Sequence, residues 1–168
     1  LEAIKSLADK KLKTHETGKK AEIIDYGILD KNGKKVTLLE TGEEYTLFSR
    51  VLAYEPIENI YVGYPIQIKQ GLVLFAINNN FQKINVARAE RGDIIEGRVK
   101  VTMWLAPGNY FITYRTGSFD EEFDIVTDVH FVVAGDLKIN PISLVNLNAT
   151  MSITCTRDSE KNDPRVPR

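Results

Sequence analysis

From Lys19 onward the hydrophobic positions of the chain recur at every second residue in short runs separated by turn residues, the period of half-buried strands. Ala21–Lys31 reads as a strand, and Asp30-Lys-Asn-Gly33 as a hairpin turn in which Asn32-Gly33 suits positive φ. Lys34–Glu40 reads as the returning strand. After the turn Thr41-Gly-Glu-Glu44 comes a long run, Tyr45–Tyr54, stopped by Glu55-Pro56 because proline cannot donate to a ladder. Ile60–Lys69 and Leu72–Asn78 pair around Gln70-Gly71, and Phe81–Glu90 is loop-like. Arg98–Arg115 reads as a central hairpin around Ala106-Pro-Gly-Asn109, followed by the turn Gly117–Glu122 and a strand over Phe123–Val133. Leu137–Thr154 holds one or two further strands around Pro141. About eight to ten strands spaced roughly 8–12 residues apart, with no long internal helix, predict an all-β fold, an antiparallel β-sandwich of immunoglobulin-like or jelly-roll type. Tyr110, after Pro107-Gly108, matches the tyrosine corner of such folds, although the Cys…Trp…Cys framework of antibody domains is absent.

The ends differ from this core. Leu1, Ile4, Leu7 and Ala8 have helical spacing, but the stretch is polar and lysine-rich after Asp9, so residues 1–18 read as a frayed helix or linker. The sandwich is expected over 19–136, a strand extension over 137–156, and a disordered, charged tail over 157–168.

In the central hairpin Val99, Val101, Met103 and Leu105 share one face with Tyr110, Ile112 and Tyr114. The opposite face carries Arg98, Lys100, Thr102 and Trp104, then Phe111, Thr113 and Arg115. The sole tryptophan thus falls among cationic and hydroxylated side chains, the set that holds a sugar: an aromatic face covers pyranose C–H groups while polar groups satisfy hydroxyls. The plain alternative is that a loop or a partner covers Trp104. On Tyr45–Tyr54, Arg50 and its alternates Thr46, Phe48, Leu52 and Tyr54 face outward if Leu47 and Val51 point in, unless Phe48 and Leu52 bury and the strand is core on both faces. Asn78, Asn79 and Asn80 are candidate hydroxyl partners, with loop-forming asparagines as the competing reading.

Composition narrows the function. A formal net charge of −1 argues against general nucleic-acid binding, which needs a basic surface. No run approaches the roughly 20 apolar residues of a spanning helix. The lone Cys155 leaves no internal disulfide and fits a reducing compartment; a start without Met suggests a fragment or processed chain. His15 and His130 make no convincing zinc pair, and no nucleophile elbow, phosphate loop or dinucleotide fingerprint occurs. The acidic group Asp120, Glu121, Glu122 and Asp124 reads as a solvated loop rather than a glycosidase pair. No enzyme, cofactor or metal is expected.

The ordered strings Glu22-Ile-Ile-Asp-Tyr26, Leu29-Asp-Lys-Asn-Gly33, Glu40-Thr-Gly-Glu43, Val62-Gly-Tyr-Pro-Ile66, Gly71-Leu-Val-Leu-Phe-Ala-Ile-Asn78 and Leu105-Ala-Pro-Gly-Asn-Tyr110 carry a resemblance. Through their order and spacing, residues 19–134 resemble the carbohydrate-binding C-terminal domain of Wzt-type proteins, the ATP-binding subunits of O-antigen polysaccharide ABC exporters. The resemblance implies a non-catalytic module that binds the finished O-antigen polysaccharide, often by its modified non-reducing end, and couples chain completion to export. It also implies an ATPase domain upstream of Leu1 tethered by residues 1–18, contact with the transporter's membrane subunit through that whole protein, and a place at the cytoplasmic face of the bacterial inner membrane. A homodimer is expected, with 137–156 available for exchange. The site residues expected on this reading are Trp104, Arg115, Lys100, Phe111, Thr102, Thr113, Arg50 and Asn79. The alternative is a β-sandwich that only dimerises or contacts another protein.

Overall fold

The structure is a computed structural model that describes residues 2–15, 18–86, 88–135 and 145. A helix, α1 (Glu2–Thr14), precedes the strands β1 (Ala21–Leu29), β2 (Lys35–Val36), β3 (Leu38–Glu40), β4 (Glu44–Ala53), β5 (Ile57–Glu58), β6 (Tyr61–Gly63), β7 (Ile66–Gln67), β8 (Val73–Phe75), β9 (Arg88–Ala89), β10 (Ile94–Thr102), β11 (Gly108–Gly117) and β12 (Glu122–Ala134). They form a sandwich. The first sheet has the order β10-β4-β1-β2, and the second the order β3-β12-β11-β7-β8 with β6 also on β11. β5 and β9 make a small separate ladder. All pairs are antiparallel except β3 with β12.

The alternation seen in the sequence becomes the core. Leu47, Val51 and Ala53 of β4 and Tyr110, Ile112 and Tyr114 of β11 meet between the sheets in one buried cluster. The Tyr110 hydroxyl donates to the Ala106 carbonyl at 2.8 Å, the bond that defines a tyrosine corner. Gly33 has φ of 76° in the first turn, whose amides Asn32 N and Lys34 N donate to Asp30 Oδ1.

Two of the departures from the sequence expectation concern which strands pair. Lys34–Glu40 does not return as one strand: Lys35–Val36 pairs with β1, and Leu38–Glu40 crosses to lie parallel with β12. The second departure governs the site. Arg98–Arg115 is not a hairpin, because β10 pairs with β4 in the first sheet while β11 pairs with β12, β6 and β7 in the second. Met103–Pro107 carries the chain between sheets, held by Met103 N to Glu43 O at 2.9 Å and Thr41 Oγ1 to Leu105 O at 2.8 Å. A period-two pattern assigns inward and outward faces correctly but cannot tell a shared hairpin face from two sheets that face each other. The inward sets of the two strands do meet; their outward sets point in opposite directions.

Helix α1 lies on the outer face of the first sheet. Ala8 and Leu12 pack on Leu52, Tyr54, Ile24 and Ile94 in a second cluster, so the far half of β4 is core on both faces. Lys11 pairs with Glu22 at 2.7 Å, His15 stacks on Tyr54 with ring centres 3.6 Å apart, and Arg91 donates to the carbonyls of Tyr54 and Leu12 at 2.6 and 3.2 Å. The segments 137–144, 146–156 and 157–168, expected as a strand extension and a disordered tail, lie outside the described residues, as does Cys155.

Candidate functional site

The fold divides the sequence-derived site residues among five places. Arg50, Lys100 and Thr102 are on the outer face of the first sheet. There Asp25, Arg50 and Glu96 sit directly opposite one another on three neighbouring strands. Arg50 donates to Asp25 Oδ2 at 2.7 Å and to Glu96 Oε2 at 2.5 Å. Burial lowers its affinity for the proton, but these two carboxylates outweigh burial and keep the guanidinium charged. Phe48 lies on this outer face yet is buried under a cationic cover, with Lys35, Arg50 and Arg98 at 5.2, 5.4 and 6.0 Å from its ring centre. Arg50 is therefore engaged within the sheet.

Trp104 stands in the crossover at the open edge of the sandwich, 37% exposed. Its ring lies over Gly42, and it borders a shallow apolar cleft of about 180 Å³ together with Leu74, Phe75 and Val145. Thr113 is buried beside the register shift between Ile112 and Tyr114 in the β11–β12 ladder, its amide bonded to Pro65 O at 2.9 Å. Asn79 has its side-chain amide committed to backbone: its oxygen accepts from Val62 N at 2.8 Å, and its nitrogen donates to Ile84 O at 3.0 Å and Ile60 O at 3.2 Å.

Phe111 and Arg115 remain together, on the outer face of the second sheet. Cross-strand pairing sets His130, Phe111, Gln67 and Val73 in one row across four strands. His130 is tied to Asn109 at 2.9 Å, and its ring lies 5.4 Å from that of Phe111. A second row holds Ile125, Arg115 and Gly63, with Asn78 bridged to Gly63. Arg115 Nε donates to Glu122 Oε2 at 2.6 Å, which fixes the guanidinium over the sheet while leaving it substantially open to solvent.

Beside Arg115 a trough of about 320 Å³ is bordered by Tyr61, Phe81, Asn78 and Val73. Asn78 and Asn79 build the loop that forms its far wall: Phe81 N donates to Asn78 Oδ1 at 2.8 Å, and Lys83 takes φ of 56°. The loop presents Phe81 71% exposed. Tyr61, Phe81 and Glu122 are the contributors that sequence reasoning missed. The available signal was the lone aromatic ending the run Asn78-Asn-Asn-Phe81; nothing local marks Tyr61, whose place comes from β6 pairing with β11.

The trough can stack a ring on two aromatic side chains and offer a forked cation, a carboxylate and an amide to hydroxyls. Among the described residues no group of three or more His, Cys, Asp or Glu is placed to hold a metal ion. No helix there is long and apolar enough to cross a membrane. The acidic run seen in the sequence is used in ion pairs: Asp124 binds Lys19 and Ile23 N, Glu121 binds Lys20, and Glu122 binds Arg115.

The family model of the Wzt C-terminal domain matches residues 13–140. The chain belongs to that family. A crystal structure of the C-terminal domain of wzt superposes with a TM-score of 0.66 at 16% identity, covering 82% of this chain and 86% of that one, and shares its fold. A Niemann-Pick type C2 protein from Japanese carpenter ant aligns at 12% identity over 73% of this chain and 98% of its own, with a TM-score of 0.47. No curated protein sequence matches the chain. The all-β sandwich expected for this Wzt domain is therefore the fold observed, with one parallel pair added.

Proposed function

We propose that this Wzt C-terminal domain is the non-catalytic polysaccharide reader of an ABC exporter, and that it holds O-antigen polysaccharide on the outer face of its second sheet. Arg115, Tyr61 and Phe81 form the centre of the site, extended by Phe111. The observation that carries this reading is the exposed Phe81 and the half-buried Tyr61 around a charge-oriented arginine in one trough, a set that serves pyranose faces and hydroxyls together. Phe81 and Arg115 are open to solvent, as a long polymer passing over the surface requires, and the volume suits one or two sugar rings rather than an enclosed ligand. ATP hydrolysis belongs to a domain upstream of α1, at the cytoplasmic face of the bacterial inner membrane. A homodimer, one copy per ATPase subunit, would raise a weak single-site affinity through paired display.

The alternative is an assembly domain without glycan binding. It draws support from Leu105 beside Trp104, which is bridged to Val145 of the C-terminal segment. Titration calorimetry of the cognate O-polysaccharide against wild type, Arg115→Ala, Phe81→Ala and Trp104→Ala, with circular dichroism to check folding, separates the two. Loss of binding in the first two variants with retention in the third supports the trough. Loss only with Trp104→Ala moves the site to the sandwich edge, and no binding by the folded wild type favours assembly.

A further inference from the structure

At the β1–β2 side of the sandwich, away from β10, a cavity of about 220 Å³ lies between the sheets. Tyr26 and Ile28 of β1 border it from the first sheet, and Tyr114, Val129 and Phe131 from the second. Val36 and Thr37 border it where the chain leaves β2 for β3, and Val132 N donates to Thr37 O at 2.8 Å to hold that crossing against β12.

A strand on each side reaches the cavity through an irregularity. The β1–β4 ladder shifts register between Ile23 and Asp25, which brings Tyr26 and Ile28 to the core side along with Ile23. The β11–β12 ladder shifts between Ile112 and Tyr114, where Thr127 and Asp128 stand opposite Thr113 alone and Asp128 takes φ of 56°. Unbroken alternation from Val126 would send Asp128 and His130 into the core; after the shift Val129 and Phe131 take those places. Bulges re-aim side chains beside sites. Here two of them, on facing sheets, turn aromatic and branched side chains toward one cavity.

Tyr114 is fully buried, and its hydroxyl is the one buried side-chain polar atom among the described residues without a hydrogen-bond partner. Such groups are rare, because each bears its full desolvation cost. The neighbouring rings do not relieve it: Tyr26 stands 4.9 Å away between centres, and Tyr64, edge-on at 5.8 Å, bonds Ser49 instead. Burial pushes the Tyr114 phenol up, so it stays a neutral donor open to an acceptor.

We propose that this cavity binds a small neutral molecule with one aromatic ring and one hydrogen-bond acceptor. The acceptor takes the Tyr114 hydroxyl, and the ring lies among Tyr26, Val36, Val129 and Phe131. A cavity of about 150 Å³ holds one benzene, so about 220 Å³ takes a ring with a short substituent. A sugar does not suit this lining, because most of its hydroxyls would be stranded against aromatic and branched walls. An anion would find both basic border residues engaged, Lys35 by Asp25 and His130 by Asn109. The inference stands independently of the glycan trough, which lies on the outer face of the second sheet.

The test uses acetophenone and α-methylstyrene, which share a shape and differ in a carbonyl oxygen against a methylene. Each is titrated into the full 168-residue chain and followed by amide shifts in NMR. Wild type should bind acetophenone about three- to tenfold more tightly, the worth of one buried hydrogen bond, with shifts centred on Tyr26–Ile28 and Val129–Phe131. Tyr114→Phe should bind both probes equally, at the affinity wild type shows for α-methylstyrene, because only the donor is gone. It should also melt no lower than wild type, since it removes a buried hydroxyl without a partner. Val36→Phe, which fills the cavity from its border, should lose both probes. No binding by the folded wild type, an acetophenone preference that survives Tyr114→Phe, shifts centred elsewhere, or binding retained by folded Val36→Phe each overturn the proposal. A melting temperature lowered by about 3 °C or more in Tyr114→Phe would mean that water or protein already satisfies the hydroxyl, and overturns it equally.

Discussion

Gly97→Ala should destabilise the domain far more than an exposed glycine replacement would. Gly97 faces inward from β10, and a Cβ there would lie 2.3 Å from Tyr64 Oη and 2.6 Å from Val62 Cγ2. Neither neighbour yields easily. Tyr64 is 1% exposed, its hydroxyl bonded to Ser49 Oγ at 3.0 Å and its ring set edge-on to Tyr114 at 5.8 Å. Overpacking of this kind costs about 1–3 kcal/mol, and breaking the buried hydroxyl pair adds about 1–3 kcal/mol. The sum, about 2–6 kcal/mol, is a large part of the roughly 5–15 kcal/mol that holds a domain folded. At about 2–4 °C per kcal/mol, the melting temperature should fall by about 4–24 °C. Urea and thermal unfolding followed by circular dichroism measure it. Tyr64→Phe alone should cost about 1 kcal/mol, whereas the double variant should recover at least about 1 kcal/mol relative to the sum of the single changes, since the Oη clash is gone. A loss under about 0.5 kcal/mol for Gly97→Ala, or strict additivity in the cycle, would refute the close packing argued here.

Leu52→Ala should cost about 2–4 kcal/mol, because it opens the apolar seat of α1; amide exchange in Glu2–Thr14 should rise with it, and an unchanged helix would contradict the docking. Glu22 links α1 to the sheet: partial burial raises its pKa, but hydrogen bonds from Lys11 and Tyr54 and the nearby ammonium groups outweigh burial and hold it below its ordinary 4.5. A depressed carboxylate stabilises the fold above its unfolded pKa and loses that contribution as pH falls through the folded one. Acid unfolding should therefore weaken α1 docking below about pH 4.5, and Glu22→Gln should flatten that part of the stability curve. Phe81→Ala should leave stability within about 0.5 kcal/mol and reduce glycan affinity by about tenfold, one stacked ring's worth; calorimetry beside a thermal melt tests both halves.

Most of the fold was legible because burial in a sandwich leaves its mark at every second residue. β1, β4, β11 and β12 coincide with runs read directly from the chain, β10 shares only Arg98–Thr102 with the run read there, and the Asp30–Gly33 turn and the Tyr110 corner follow from local chemistry. Strand partnership was not legible, because pairing is a tertiary choice that leaves both faces of each strand unchanged. That one ambiguity separated Trp104 from Arg115 and put Lys100 and Arg50 on the far sheet. The short pieces β6, β7 and β8 escaped for another reason: Pro65 and the turn at Gly71 break the runs Ile60–Lys69 and Leu72–Asn78 into strands of two or three residues. Their positions come from β11, and with them comes the trough that Tyr61 and Phe81 line.

The acidic turn between β11 and β12 bears on how a bound polymer would be felt by the rest of the protein. Glu122 orients Arg115 in the trough, and Asp124, two residues on, binds Lys19 and caps Ile23 N at 2.9 Å where the chain leaves α1 for β1. Glu121 holds Lys20 between them. One short run of carboxylates thus touches both Arg115 and the lysines just before β1. Exposed pairs of this sort contribute only about 0–1 kcal/mol each, so their role is geometric: they fix where side chains stand. A ligand that took Arg115 away from Glu122 would leave that carboxylate without its cation, while Lys19 and Lys20 keep Asp124 and Glu121. Glu122→Gln keeps the turn intact while removing the charge that orients Arg115; a variant that binds glycan as wild type does, with the same salt dependence, would show that the pair only positions the turn.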